Sequence, residues 1–223
     1  MINDLKLGHK VIKYGLNLRG NLIAIVLFLV LGCVMEFMTP YMIMGSMYMG
    51  LASMMLVQVV HSVAVSTMVQ SSPRKKRLQT RVPAFVGGLY MVILNTVMIV
   101  LKLVGSYVSP IEYEGGTEGI SNAILMSSGI IILLALYMGV ALKLFWPATI
   151  VFLISFYGYY GISGKMLDLM ETEGTMIMPI ELSILISYLV VFTGSIIIYL
   201  IYRATYKLEY SKVTWEAALK RAK

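Results

Sequence analysis

The chain has 223 residues, of which 59% are hydrophobic and 13% charged, with a formal net charge of +7. A soluble domain of this size covers its surface with charge, so this composition excludes an ordinary soluble fold. The one cysteine, Cys33, excludes an intrachain disulfide and a thiolate metal cluster. The basic residues flank apolar runs and form no separate domain, so the pI near 9.4 does not point to nucleic acid.

Residues 1–20 lack a long apolar run, and no small-residue cleavage site precedes Asn21, so they do not read as a signal peptide. Lys6, His9, Lys10, Lys13 and Asn17 recur at helical spacing on one face, with Gly8 and Gly15 opposite. The pattern predicts a short amphipathic helix in the inner headgroup region, started by Asn3 or Asp4 as cap. A disordered basic tail is the alternative.

Six apolar stretches follow: Leu22–Met38, Met42–Val65, Ala84–Val108, Ile120–Leu142, Ala148–Ile162 and Leu182–Tyr202. A helix needs about 20 apolar residues to cross about 30 Å of hydrocarbon. The fifth stretch, near 15 residues, is expected to be short, tilted or partly re-entrant. The fold class expected is therefore all-α and polytopic, with one six-span domain over 21–205.

The first span carries Glu36 near one end and the third carries Lys102 at a matching depth. Two readings stand: each charge snorkels to the surface by itself, or the two form an ion pair facing a polar outer cavity. In the second span Met44, Met47, Leu51, Met54, Gln58 and His61 share a face. That flexible, polarisable stripe suits the wall of a transport path for cargo of varied shape; the alternatives are plain helix packing and, less well matched, copper(I) thioether ligation. Ser46, Gly50 and Ser53 form a small-residue face fit for close contact within the chain or between subunits. In the third span Asn95 and Thr96 either bond to neighbouring helices or line a path.

Between spans two and three runs Ser71-Ser72-Pro73-Arg74-Lys75-Lys76-Arg77-Leu78-Gln79-Thr80-Arg81-Val82-Pro83. Pro73 fits a first helical turn with Ser72 as cap, and Pro83 is expected to stop the helix before span three. An ordinary positive loop accounts for the charge but not for these two signals. Residues 164–180 mix Met and Leu with acids and suggest a short outer helix that gates an exit. Span six is expected to continue as a helix through 206–223, with Tyr206, Tyr210 and Trp215 near the interface.

Sixteen of the 18 Lys and Arg residues fall on one side of this arrangement. The other side holds Glu112, Glu114, Glu118, Asp168, Glu171, Glu173 and Glu181, with Lys165 alone against them. The positive-inside rule places the basic side, and both termini, in the cytoplasm of a cell-membrane protein.

No HExxH, GxSxG or other catalytic constellation occurs, and His9 and His61 lie in different elements. Gly161-Ile-Ser-Gly164-Lys165 lacks the spacing of a phosphate loop and falls on the outer side. A membrane enzyme is thus the least supported class.

Six spans, an amphipathic helix before the first and a Ser-Pro-basic helix between the second and third resemble the small permease subunits of bacterial type-2 ABC exporters. Among these the compact, methionine-rich chain looks most like exporters of amphipathic peptides such as phenol-soluble modulins. The resemblance implies a coupling helix at 71–83, with Ser72, Pro73, Arg74, Lys75, Lys76 and Arg77 docking on a separate cytosolic ABC ATPase. That ATPase would hold ATP and Mg, leaving this chain without a cofactor of its own. It also implies a second permease chain, lipid contact and an amphipathic or hydrophobic peptide cargo. The rival expectation is the substrate-binding membrane subunit of an energy-coupling-factor importer. Such a subunit needs convergent polar groups near the outer face, for which Glu36, Lys102 and Tyr157/Tyr159/Tyr160 are the candidates.

Overall fold

The computed structural model describes residues 2–13, 18–64, 69, 71–108, 116–173, 178–214 and 216. The described residues form eight helices and no strand: α1 (Ile2–Lys13), α2 (Leu18–Met38), α3 (Met44–Ala64), α4 (Lys75–Gln79), α5 (Arg81–Val108), α6 (Gly116–Ala141), α7 (Phe145–Glu173) and α8 (Ile180–Thr205). Gly15, the acids Glu112 and Glu114, and Trp215 lie outside the described residues. Among the described residues four helical runs are long and apolar enough to cross a membrane: Arg19–Met38, Lys75–Val108, Gly119–Ala141 and Ile180–Thr205. A helix suits that setting because it satisfies its own backbone groups where no water is present to do so.

The centre of the bundle is α6, which packs on α3, α5, α7 and α8. Its Ile124 and Ile131 are fully buried in one cluster with Met49, Met98 and Val191 from neighbouring helices. The periphery is apolar as well: Ile23 on α2 is 70% exposed, Ile154 on α7 69% and Ile196 on α8 61%. Apolar surface on this scale requires an apolar surrounding.

The small-residue face of α3 is spent inside the chain. Ser46 and Ser53 are buried, and a Cβ on Gly50 would collide with Leu134 of α6. A side chain at Gly50 would have to displace the Leu134 methyl, so the small residue lets the two helices meet at this point.

Three sequence expectations change here. The helix at the basic loop is only five residues long, and Pro83 does not stop it. The break falls at Thr80, with φ −120° and ψ −70°, while Pro83 lies in the first turn of α5. There the missing N–H costs nothing, because the first four N–H groups of any helix lack a partner within it. The fifth apolar stretch is not a short helix. It belongs to α7, 29 residues long, so Gly164–Glu173 continues α7 instead of forming a separate outer helix. Finally, α8 ends at Thr205 and does not extend through 206–223. The chain folds back, and Ser211 N–H and Thr214 Oγ1 both donate to the Leu142 carbonyl, each at 3.1 Å. Residues 217–223 lie outside the described residues.

Candidate functional site

Glu36 and Lys102 meet. Lys102 Nζ lies 2.6 Å from Glu36 Oε2, with both side chains 0% exposed. The ammonium also donates to the carbonyls of Pro40 at 2.9 Å and Met42 at 2.7 Å. The pair therefore ties α5 to the turn between α2 and α3. That turn is tightened by Thr39, whose Oγ1 donates to the Met35 carbonyl at 2.7 Å. Glu36 rests on the first turn of α3, where a Cβ on Gly45 would collide with its Cγ and Cδ. The positive end of a helix favours a carboxylate at that place. Of the two sequence readings, the ion pair holds and independent snorkelling does not. Among the described residues the pair is enclosed by protein.

The stripe on α3 changes character along its length. Met44 is 50% exposed and Met47 half-buried. Met54 and Gln58 line a cavity of about 260 Å³ between α2, α3, α6 and the segment after α8. His61 is buried, with its ring edge-on to Tyr202 of α8 at 5.0 Å between centroids and to Tyr210 at 6.5 Å. The stripe is thus not a single continuous wall.

Asn95 and Thr96 bond to a neighbouring helix. Asn95 Nδ2 donates to Ser187 Oγ at 2.8 Å, and Thr96 Oγ1 and Tyr188 Oη lie 2.8 Å apart, joining α5 to α8. Ser121 of α6 bonds Ser183 of α8. Buried polar pairs of this kind fasten helices where the alternative is an unmet group in hydrocarbon. The role of Ser183 and Ser187 escaped the sequence reading, although their four-residue spacing places them on one face.

The three tyrosines do not converge. Tyr159 Oη donates to the Met126 carbonyl at 2.9 Å, whereas Tyr157 and Tyr160 are 72% and 60% exposed.

At the basic end Ser72 Oγ accepts the Arg74 N–H at 3.2 Å, but the N-cap of α4 is Arg74, so Ser72 does not cap the helix and Pro73 lies before its first turn. Pro73, Arg74 and Lys76 are exposed, and Lys75 is half-buried. Arg77 Nε donates to Asp4 Oδ1 of α1 at 2.6 Å, so Asp4 serves as a salt-bridge partner from the first turn of α1. Lys76 Nζ lies 5.2 Å from the Tyr206 ring centre. Lys143, in the turn between α6 and α7, donates to the Leu208 carbonyl at 2.7 Å and sits 3.6 Å above the Tyr210 ring. Burial, with Lys75 nearby, pushes Lys143 down to about 8, and burial raises the Tyr210 phenol.

Among the described residues no group of His, Cys, Asp and Glu is arranged to hold a metal ion. Comparison with protein-family models, with curated proteins and with solved structures finds no match.

Proposed function

We propose that this chain is the membrane-spanning permease subunit of an ATP-driven exporter of amphipathic or hydrophobic peptides. In this reading α2, α3, α5, α6, α7 and α8 are the six spans and the basic end faces the cytoplasm. A separate ATPase hydrolyses ATP, and two permease chains complete one path.

The observation that carries the reading is the connectivity of α4. This short basic helix leads into α5 across a one-residue break, bonds α1 through Arg77–Asp4, and reaches the segment after α8 through Lys76–Tyr206. A push on it from below is delivered to three elements together. Arg74 and Pro73, the exposed residues at its start, are the docking face, while Lys76 and Arg77 transmit the push. Rigid elements with two discrete arrangements carry such coupling. Met54 and Gln58 offer the cargo-facing wall. Glu36 and Lys102 serve as an anchor against which the spans tilt, and Asn95 as a fastening.

The test is co-expression with the ATPase encoded beside it. Co-purification, with ATP hydrolysis that rises on adding an amphipathic peptide and is lost in Arg74→Glu, supports the reading. A chain that purifies alone with a bound small molecule refutes it in favour of an importer subunit.

A further inference from the structure

Helices α5 and α8 run antiparallel and enclose an open groove of about 760 Å³ at the basic end. Phe85, Leu89 and Val92 form one wall; Phe192, Ile196 and Tyr199 form the other. The floor is shallow because Gly88 faces Ser195, so that even a Cβ on Gly88 would come within 3.4 Å of the serine Cβ. At its basic end the groove opens into a second pocket of about 330 Å³ formed with Lys76, Arg77, Arg81 and Arg203. Arg81 and Tyr199 line both, so the two form one continuous site.

The dimensions match one leaflet. Val92 lies eleven residues beyond Arg81 on α5, and Phe192 lies eleven residues before Arg203 on α8. At 1.5 Å per residue both walls are about 16 Å deep, close to half of the roughly 30 Å hydrocarbon core. One helical turn deeper, the Thr96–Tyr188 and Asn95–Ser187 bonds draw the two helices together and close the groove. The charge is complementary to an anion. Four cations stand against one carboxylate, Asp4, which is bound to Arg77. Among the described residues neither Arg81 nor Arg203 forms a salt bridge.

We infer that this site binds an anionic phospholipid of the cytoplasmic leaflet, its phosphate between Arg81 and Arg203 and one acyl chain between α5 and α8. Guanidinium groups are suited to phosphate, and basic pockets between spans on the cytoplasmic side favour anionic headgroups. The inference needs the basic end to face the cytoplasmic leaflet; it does not need export. Because Lys76 and Arg77 belong both to α4 and to this pocket, a bound lipid would join α4 to the α5–α8 pair.

The test uses the full chain in neutral detergent, titrated with phosphatidylglycerol or with phosphatidylcholine of the same acyl chains, and read by native mass spectrometry. A preference for phosphatidylglycerol of at least tenfold is expected. Arg81→Gln/Arg203→Gln should lower its affinity about thirtyfold, at about fivefold per cation near an anionic headgroup. Arg81→Lys/Arg203→Lys should keep most of the preference, which separates lost charge from lost fold. Ser195→Leu, which fills the floor, should weaken the phospholipid while leaving the arginines in place. Glycerol phosphate, which has the headgroup but no chain, should not compete at equal concentration. Equal retention of the two lipids, no change in Arg81→Gln/Arg203→Gln, full competition by glycerol phosphate, or displacement by a stoichiometric acidic amphipathic peptide would each overturn the assignment.

Discussion

The two ends of the bundle handle charge in opposite ways. At the Glu36 end a pair is sealed from solvent and Lys102 also donates to two carbonyls, although the Glu36 oxygens have no hydrogen-bond partner among the described residues. At the basic end the Arg77–Asp4 bridge is 41% exposed on the arginine side. His61, Gln79 and the Tyr210 hydroxyl are buried there without a hydrogen-bond partner among the described residues. A sealed pair fixes geometry, because any movement strands a charge in a low dielectric. An open bridge with unmet groups around it can be rearranged at small cost. In the proposed reading the sealed end holds while the basic end moves.

Substitutions at the two ends sharpen that contrast. Lys102→Met leaves Glu36 buried and unpaired, and should destabilise the chain by about 3–5 kcal/mol in thermal unfolding in detergent. Glu36→Leu/Lys102→Met should recover only part of this loss, because the turn carbonyls of Pro40 and Met42 remain unmet. Full recovery would mean that the turn contacts contribute nothing. Arg77→Gln should cost less than Lys102→Met in the same assay, because Arg77 is 41% exposed and only the Asp4 side of the bridge is buried. A larger loss would show the basic end to be as rigid as the other.

The smallest effect is a pH slope from Lys143. Its folded value of about 8 lies below the ordinary 10.5, so between these values the unfolded chain binds more protons. Stability should therefore rise as pH increases from about 8 to 10.5 and fall as pH drops through 8. Lys143→Met should remove that component of the slope, measured as the melting temperature of both chains across this range.

The apolar runs were readable because a membrane imposes a long, nearly unbroken pattern. The Glu36–Lys102 contact was readable as one of two alternatives, since both charges fall at one depth and hydrocarbon offers them few other partners. The helix breaks were less readable. Pro83 has the same chemistry wherever it lies, and only the position of the first turn decides whether its missing N–H matters. The continuation of α7 through Gly164–Glu173 was hidden by acids and glycines that interrupt the apolar pattern without interrupting the helix. The basic loop was legible in its charge, but not in its helix start, which falls at Lys75 after Arg74 and not at Pro73, nor in the Arg77–Asp4 bond across 73 residues. The groove between α5 and α8 was not legible at all. It depends on Gly88 meeting Ser195 across more than a hundred residues, and no local spacing encodes that meeting.

The stitch at Leu142 has a consequence for how the protein is handled. Ser211 and Thr214 both hold that carbonyl, and Lys143 grips Leu208 beside it. Residues 206–214 thus work as a rivet between the end of α8 and the α6–α7 bend. Cutting the chain back to Thr205 removes it and frees the α6–α7 bend. Such a trimmed chain would still thread the bilayer, yet its hairpins would be hinged separately.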